Sequence, residues 1–226
     1  MFPIRDTIPS RGRPWVTWLI INLNILAFFW ELKQGPQVDV LLYRFGIVPN
    51  AWVSMGRDGL LSWLAQASTL VTSQFLHGGL LHLGSNMLYL WIFGDNVEDR
   101  LGHMPFASLY LLSGAVAGVA QLWMQPQSSL PMIGASGAIA GVLGAYFLLF
   151  PHARIVTLVP MIIIWKFVEL PAFLFLGLWF ALQWLQGLPT IGQVGDIGGV
   201  AWWAHVGGFA TGLLLVILLR LRRRYA

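Results

Sequence analysis

The sequence predicts an all-α membrane protein with six transmembrane helices, a first loop in the membrane interface and a short fourth helix. Of its 226 residues, 57% are hydrophobic and only 10% are charged, whereas about a quarter of the residues in a soluble domain are charged. Six apolar segments recur along the chain, and the basic residues next to them are unevenly distributed. These observations favour one membrane domain over residues 1–226, with a core at about 15–219.

The apolar segments give the predicted spans. The hydrocarbon core is about 30 Å thick, so a spanning helix needs about 20 residues. The predicted spans are residues 15–32, 80–97, 104–124, 137–150, a helix from about 170 to 185, and 202–219. The fourth is conspicuously short.

The fifth apolar segment, residues 155–185, is too long for one plain span. Pro160, Lys166, Glu169 and Pro171 interrupt it. We therefore expect an extended or interfacial piece over residues 155–168. The spanning helix then starts at about Leu170, with a proline in its first turn.

Basic residues predict the orientation of the chain. Lys and Arg are absent from the connections 125–133 and 186–200. They cluster before the first helix and after the last: Arg5, Arg11, Arg13, Arg220, Arg222, Arg223, Arg224. The positive-inside rule then predicts cytoplasmic termini in a plasma (inner) membrane. The net charge of +4 thus reflects membrane topology, and no nucleic-acid partner is expected. Apolar patches in the long first loop, residues 33–79, suit the membrane interface.

The motif Gly134-Ala135-Ser136-Gly137 opens the short fourth helix. A helix of about 14 residues covers only about 21 Å, so Ser136 should lie below the outer surface, beside a water-filled cavity. Unpaired N–H groups at a helix N-terminus favour an oxyanion formed when a serine oxygen attacks a carbonyl. The alternative is an ordinary N-cap serine beside a glycine-rich packing face.

His205 is the second polar residue placed inside an apolar segment. Small residues recur every fourth position around it and in the fourth helix: Ala204, Gly208, Gly212 and Gly137, Gly141, Ala145. Packing these two rows together would bring Ser136 and His205 to similar depth. A neutral histidine there serves as a general base. The alternative is a core histidine bonded to a backbone carbonyl.

A third cluster contains His77, His82 and Asn86. His82 and Asn86 are four residues apart and share one helix face, where their side chains could donate to an oxyanion. Two histidines could also suggest a metal site. No Asp, Glu or Cys follows at ligand spacing, so no metal is expected.

Taken in order, these motifs resemble the rhomboid family of intramembrane serine proteases. The likeness covers about residues 15–219 and rests on three patterns: His77-x4-His82-x3-Asn86, Gly134-Ala135-Ser136-Gly137, and Ala204-His205-x2-Gly208-x3-Gly212. The segment Val97-Glu98-Asp99-Arg100-Leu101-Gly102 also looks like the turn that ends the second helix in that family.

The resemblance implies a serine endopeptidase that cuts transmembrane proteins in the bilayer without a cofactor. It implies a catalytic dyad of Ser136 and His205, and an oxyanion hole from His82, Asn86 and the Ser136 N–H. His77, Gly134 and Gly137 would support this site.

Two departures from the family pattern accompany the resemblance. Ala140 stands where some members have an aromatic residue stacked on the catalytic histidine, and the Trp-Arg pair of the first loop is missing. Two alternatives stay open: an inactive rhomboid-like protein that binds membrane clients, and a small transporter whose histidines relay protons.

Overall fold

The computed structural model describes residues 2–54, 60–160, 165–191 and 199–225, and it is mainly helical. The helices are α1 (Trp15–Lys33), α2 (Val38–Phe45), α3 (Pro49–Ser54), α4 (Leu60–Thr72), α5 (Leu80–Leu101), α6 (His103–Met124), α7 (Ser136–Leu149), α8 (Ala172–Gly187) and α9 (Trp202–Tyr225). Each predicted span corresponds to one helix: α1, α5, α6, α7, α8 and α9.

Four described helices are long and apolar enough to cross a membrane: α1, α6, α8 with the turn that follows it, and α9. The helix α7 is apolar but has only 14 residues. The helix α5 has sufficient length but carries polar side chains, including His82, Asn86 and Asn96. The chain is therefore a helical integral membrane protein, and crossing by all six helices stays a prediction.

The all-α prediction is incomplete, because the structure also contains a three-stranded antiparallel sheet in the order β1-β2-β3. Its strands are β1 (Phe2–Asp6), β2 (Arg154–Pro160) and β3 (Trp165–Pro171). The paired strands β2 and β3 lie in and next to residues 155–168, the segment that was expected to be extended or interfacial. The helix α8 therefore begins at Ala172, directly after Pro171, and not at about Leu170 as predicted.

The first strand was missed because its partner is far away in the sequence. Phe2 pairs with Leu158 and Asp6 with Ile155, and such distant pairing leaves little local signal, since strand preference depends on the neighbours that a strand meets. The Asp6 carboxylate accepts hydrogen bonds from the Tyr146 hydroxyl on α7 and, at 2.8 Å, from the Asn96 amide on α5. These bonds attach the sheet to the end of α7 opposite Ser136.

A carboxylate from α5 fixes the beginning of α1. Glu98 accepts the backbone N–H groups of Val16 and Thr17, each at 2.8 Å, and the Thr17 hydroxyl at 2.7 Å. Its other contact is His103 Nδ1 at 2.6 Å. The first N–H groups of a helix have no intrahelical acceptor, so Glu98 supplies the missing partners. Glu98 belongs to the segment that resembles the family's turn.

The helix α7 lies at the centre of the bundle, with every residue from 137 to 146 buried. A Cβ on Gly208 or Gly212 would collide with the carbonyl of Gly137 or Gly141, respectively. The predicted packing of the two small-residue rows is thus confirmed. This contact sets the N-terminus of α7 beside the first turn of α9.

Candidate active site

A cavity of about 540 Å³ opens where α5, α6, α7 and α9 begin or end. It brings together four side chains that the sequence singled out from three separate segments: His82, Asn86, Ser136 and His205. Gln121 in the last turn of α6 and Gln125, directly after that helix, also line it. The segment 130–133 before α7 forms another wall.

Ser136 is the first residue of α7, and Ala135 occupies the N-cap position without a side-chain capping bond. The interpretation of Ser136 as a capping serine therefore finds no support in this geometry. Ser136 lines the cavity, next to first-turn N–H groups that lack acceptors within the helix.

Backbone bonds fix the segment before Ser136. Ile47 and Met132 exchange two hydrogen bonds of 3.0 and 2.7 Å, and the Gly134 N–H donates to the Ser73 carbonyl at 2.9 Å. Gly134 has φ +121°, and a Cβ there would lie 2.7 Å from His82 Nε2. Only glycine adopts this φ without strain and also leaves room for the His82 ring. Gly134 thus allows the His82 ring to approach this backbone.

His77 lies behind Asn86 and is 1% exposed. Its Nε2 is 3.0 Å from Asn86 Nδ2. Because an amide nitrogen only donates, Nε2 must be the acceptor, and the second amide hydrogen of Asn86 stays available for another group. The His77 ring also meets the His82 ring edge-on at 5.0 Å. His77 therefore contacts both predicted oxyanion donors.

Glu31 on α1 fixes the backbone of His77. Both carboxylate oxygens accept the His77 N–H, at 3.0 and 3.1 Å. Glu31 was not among the predicted site residues. A carboxylate at the end of an apolar span was the available signal, since such groups are costly in a membrane unless they have partners.

His205 is buried, and its ring is held by side chains rather than by a backbone carbonyl. Nδ1 lies 2.7 Å from Gln183 Oε1 on α8. The Trp179 ring is 5.7 Å away at 36°, and Trp202 meets the imidazole edge-on at 6.4 Å. Next to it, the Ala204 N–H donates to Gln121 Oε1 at 3.2 Å. Gln183 was not predicted as a site residue, although a glutamine within an apolar helix indicates a polar partner.

The chemistry available in this cavity is that of acyl transfer. It combines a hydroxyl, an imidazole and several N–H donors, the groups that a serine hydrolase requires. Among the residues that the structure describes, no group of three or more His, Asp or Glu could hold a metal ion.

A family model described as Rhomboid domain matches residues 64–222. The chain belongs to the rhomboid family. Rhomboid protein 1, mitochondrial, of Saccharomyces cerevisiae is 32% identical over an alignment of 233 positions, which covers 91% of this chain and 64% of the yeast protein. Rhomboid protease GluP of Bacillus subtilis is 36% identical over 137 residues, 60% of this chain and 25% of GluP.

A third relative of this rhomboid chain is RHOMBOID-like protein 5 of Arabidopsis thaliana. It is 32% identical over an alignment of 248 positions, which covers 94% of the chain and 71% of the plant protein. The chain thus matches less than two thirds of the yeast and Bacillus proteins. Rhomboid proteins are generally intramembrane serine proteases, and the roles of individual residues in this chain stay predictions.

Proposed function

We propose that this rhomboid chain is an intramembrane serine endopeptidase that hydrolyses peptide bonds in or near the transmembrane segments of other membrane proteins. The observation that carries the proposal is the shared cavity of Ser136, His205, His82 and Asn86. These residues come from three helices, α5, α7 and α9, that are far apart along the chain.

The proposed reaction uses Ser136 as nucleophile and His205 as general base. The Ser136 oxygen attacks the scissile carbonyl while His205 takes the hydroxyl proton and then gives it to the leaving amine. Water, activated in the same way, hydrolyses the resulting ester. No cofactor takes part in these steps.

The negative charge that develops on the carbonyl oxygen needs preorganised donors. We assign this role to the backbone N–H of Ser136 and to the side chains of His82 and Asn86. The contact of Asn86 with His77 supports the assignment, because a donor held in place loses little free energy on reorganising. Gly134 and Gly137 would support the site by allowing close approach of backbone and rings.

Substrates would reach this site from the bilayer as transmembrane segments. A protease needs an extended strand, so residues that weaken a helix should favour cleavage. We propose one membrane domain over residues 1–226, with six spans, an interfacial first loop and no nucleic-acid partner. The location we propose is a plasma membrane with cytoplasmic termini. The yeast relative is named mitochondrial, and imaging a tagged chain would distinguish the two membranes.

Cleavage of a model transmembrane substrate in detergent tests the proposal. The wild type should cut it within or near the span, and Ser136→Ala should reduce cleavage to background. Ser68→Ala is the matched control, since its exposed hydroxyl bonds the Ala65 carbonyl on α4. Cleavage that persists in Ser136→Ala would refute the mechanism. A folded wild type that binds but never cuts clients would indicate an inactive rhomboid-like protein.

A further inference from the structure

We propose that Gln183 is a positioning residue for His205. Its side-chain carbonyl keeps the imidazole in the tautomer whose Nε2 is free to accept the proton of Ser136. The inference rests on the proposed chemistry of Ser136 and His205, and it concerns a residue on a helix that contributes nothing else to the proposed reaction.

The contact between the two side chains is short and shielded from solvent. Gln183 Oε1 lies 2.7 Å from His205 Nδ1, and the two residues are 7% and 9% exposed. A buried amide costs free energy unless it is hydrogen-bonded, and the rest of α8 is apolar apart from Gln186, which is exposed. A glutamine at this position is therefore explained by the imidazole that it meets.

The pairing determines which ring nitrogen carries the hydrogen. An amide oxygen can only accept, so the hydrogen of this bond must belong to His205 Nδ1. A neutral imidazole has a single N–H. Nε2 then has a free lone pair, which is what a base for Ser136 needs.

Trp179 completes the support of the ring. It lies one turn before Gln183 on α8, 5.7 Å from the imidazole, and it also contacts Phe209 at 6.2 Å. Ala140 on α7 is buried and offers only a methyl group where some family members have an aromatic ring. In this chain α8 thus supplies both the ring contact and the hydrogen bond.

The hydrogen bond also strengthens as the reaction proceeds. The Ser136 hydroxyl proton moves to Nε2, and the imidazolium then has an N–H on each nitrogen. Nδ1–H continues to donate to Gln183, which stays neutral and takes no proton. Because a charged donor makes a stronger bond than a neutral one, the amide favours the charged state over the resting state. When Nε2 gives its proton to the leaving amine, the resting tautomer returns.

Three variants distinguish a positioning role of Gln183 from a role in helix packing alone. Gln183→Met keeps the size but removes the acceptor, and should lower kcat about 10–100-fold, the range known for metal-binding histidines that lose the partner orienting them. KM should stay unchanged, because substrate binding is not involved. Gln183→Glu keeps an acceptor and should recover most of the activity. Gln186→Met, on the exposed side of α8, should behave like the wild type.

The labelling rate of Ser136 by a fluorophosphonate should fall with kcat in Gln183→Met. A Gln183→Met protein that loses only thermal stability, with kcat and labelling at wild-type values, would overturn the inference. A Gln183→Glu protein as impaired as Gln183→Met would do so too, since it would mean that the amide nitrogen faces the ring.

The tautomer itself is measurable by ¹⁵N NMR of the wild type with labelled histidine. The His205 signals are assigned by their loss in His205→Ala. We expect a protonated Nδ1 and an unprotonated Nε2 at neutral pH, and the reverse would refute the inference even if the variants failed to fold. A wild type with this tautomer that neither labels nor cleaves would instead contradict the proposed protease function.

Discussion

At the residue scale, the structure gives two of the proposed site residues, His205 and Asn86, a side-chain partner. His205 meets Gln183, Asn86 meets His77, and the His77 backbone meets Glu31. The sequence motifs contain the reacting groups and His77, but Gln183 and Glu31 come from other helices. A motif records spacing along one helix, whereas an orienting contact depends on how two helices face each other.

The role of Asn86 is testable by comparison with its partner. Asn86→Ala should lower kcat by about 10²–10³, the usual cost of removing one oxyanion donor. It should also cost about 1–3 kcal/mol of stability, because the buried Nε2 of His77 loses its bond. His77→Phe breaks the same bond but keeps the donor, so we expect a similar loss of stability with a much smaller loss of kcat.

Detergent unfolding and steady-state cleavage, measured on both variants, check this prediction. Equal losses of activity in Asn86→Ala and His77→Phe would contradict the oxyanion role. Asn86 would then matter only for helix packing.

At the element scale, the contact of α7 with α9 depends on glycines that touch backbone. Gly212→Ala should destabilise the protein by about 1–3 kcal/mol, the range for overpacking, because the added Cβ meets the Gly141 carbonyl, which cannot turn away. Gly84→Ala on α5 is the control. It has open space around it and should be neutral or slightly stabilising in a helix. Thermal unfolding in detergent measures both, and equal stability of the two variants would contradict this packing.

The beginning of α1 provides a second prediction at this scale. Glu98→Ala leaves the Val16 and Thr17 N–H groups and the Thr17 hydroxyl without their acceptor. We expect a loss of about 2 kcal/mol or more, since capping bonds contribute up to about 2 kcal/mol and those to charged groups about 1.5–3. Glu169→Ala, exposed on β3, should leave the unfolding temperature unchanged. Unfolding curves that shift equally in both variants would refute the capping role.

The helices and strands show which parts of the fold could be predicted from the sequence. The lengths of the apolar segments predicted the positions of six helices: α1, α5, α6, α7, α8 and α9. The rows of small residues predicted which faces of α7 and α9 meet. The strand β1 escaped prediction because its pairing with residues 155–158 is a long-range contact. The support of His205 by Gln183 and Trp179 was not predicted for a similar reason: a glutamine within α8 indicates a buried polar contact, but not which helix provides its partner.

At the scale of the whole molecule, the arrangement of the spans predicts its orientation. With six crossings, a reporter fused after Ala226 should read cytoplasmic, and one inserted within residues 192–199 should read external. Residues 192–198 lie outside the described part of the chain. An external C-terminus would mean an odd number of crossings and would contradict the predicted depth of Ser136.

The central claim is that Ser136 is a nucleophile activated by His205, and covalent labelling tests it most directly. A fluorophosphonate should modify the purified wild type at Ser136, with the site read by mass spectrometry. Ser136→Ala should not be labelled there, and His205→Ala should label far more slowly although it folds, because dependence on a base distinguishes an activated serine from an ordinary one. Labelling of His205→Ala at the wild-type rate, or no labelling of a folded wild type, would contradict the account.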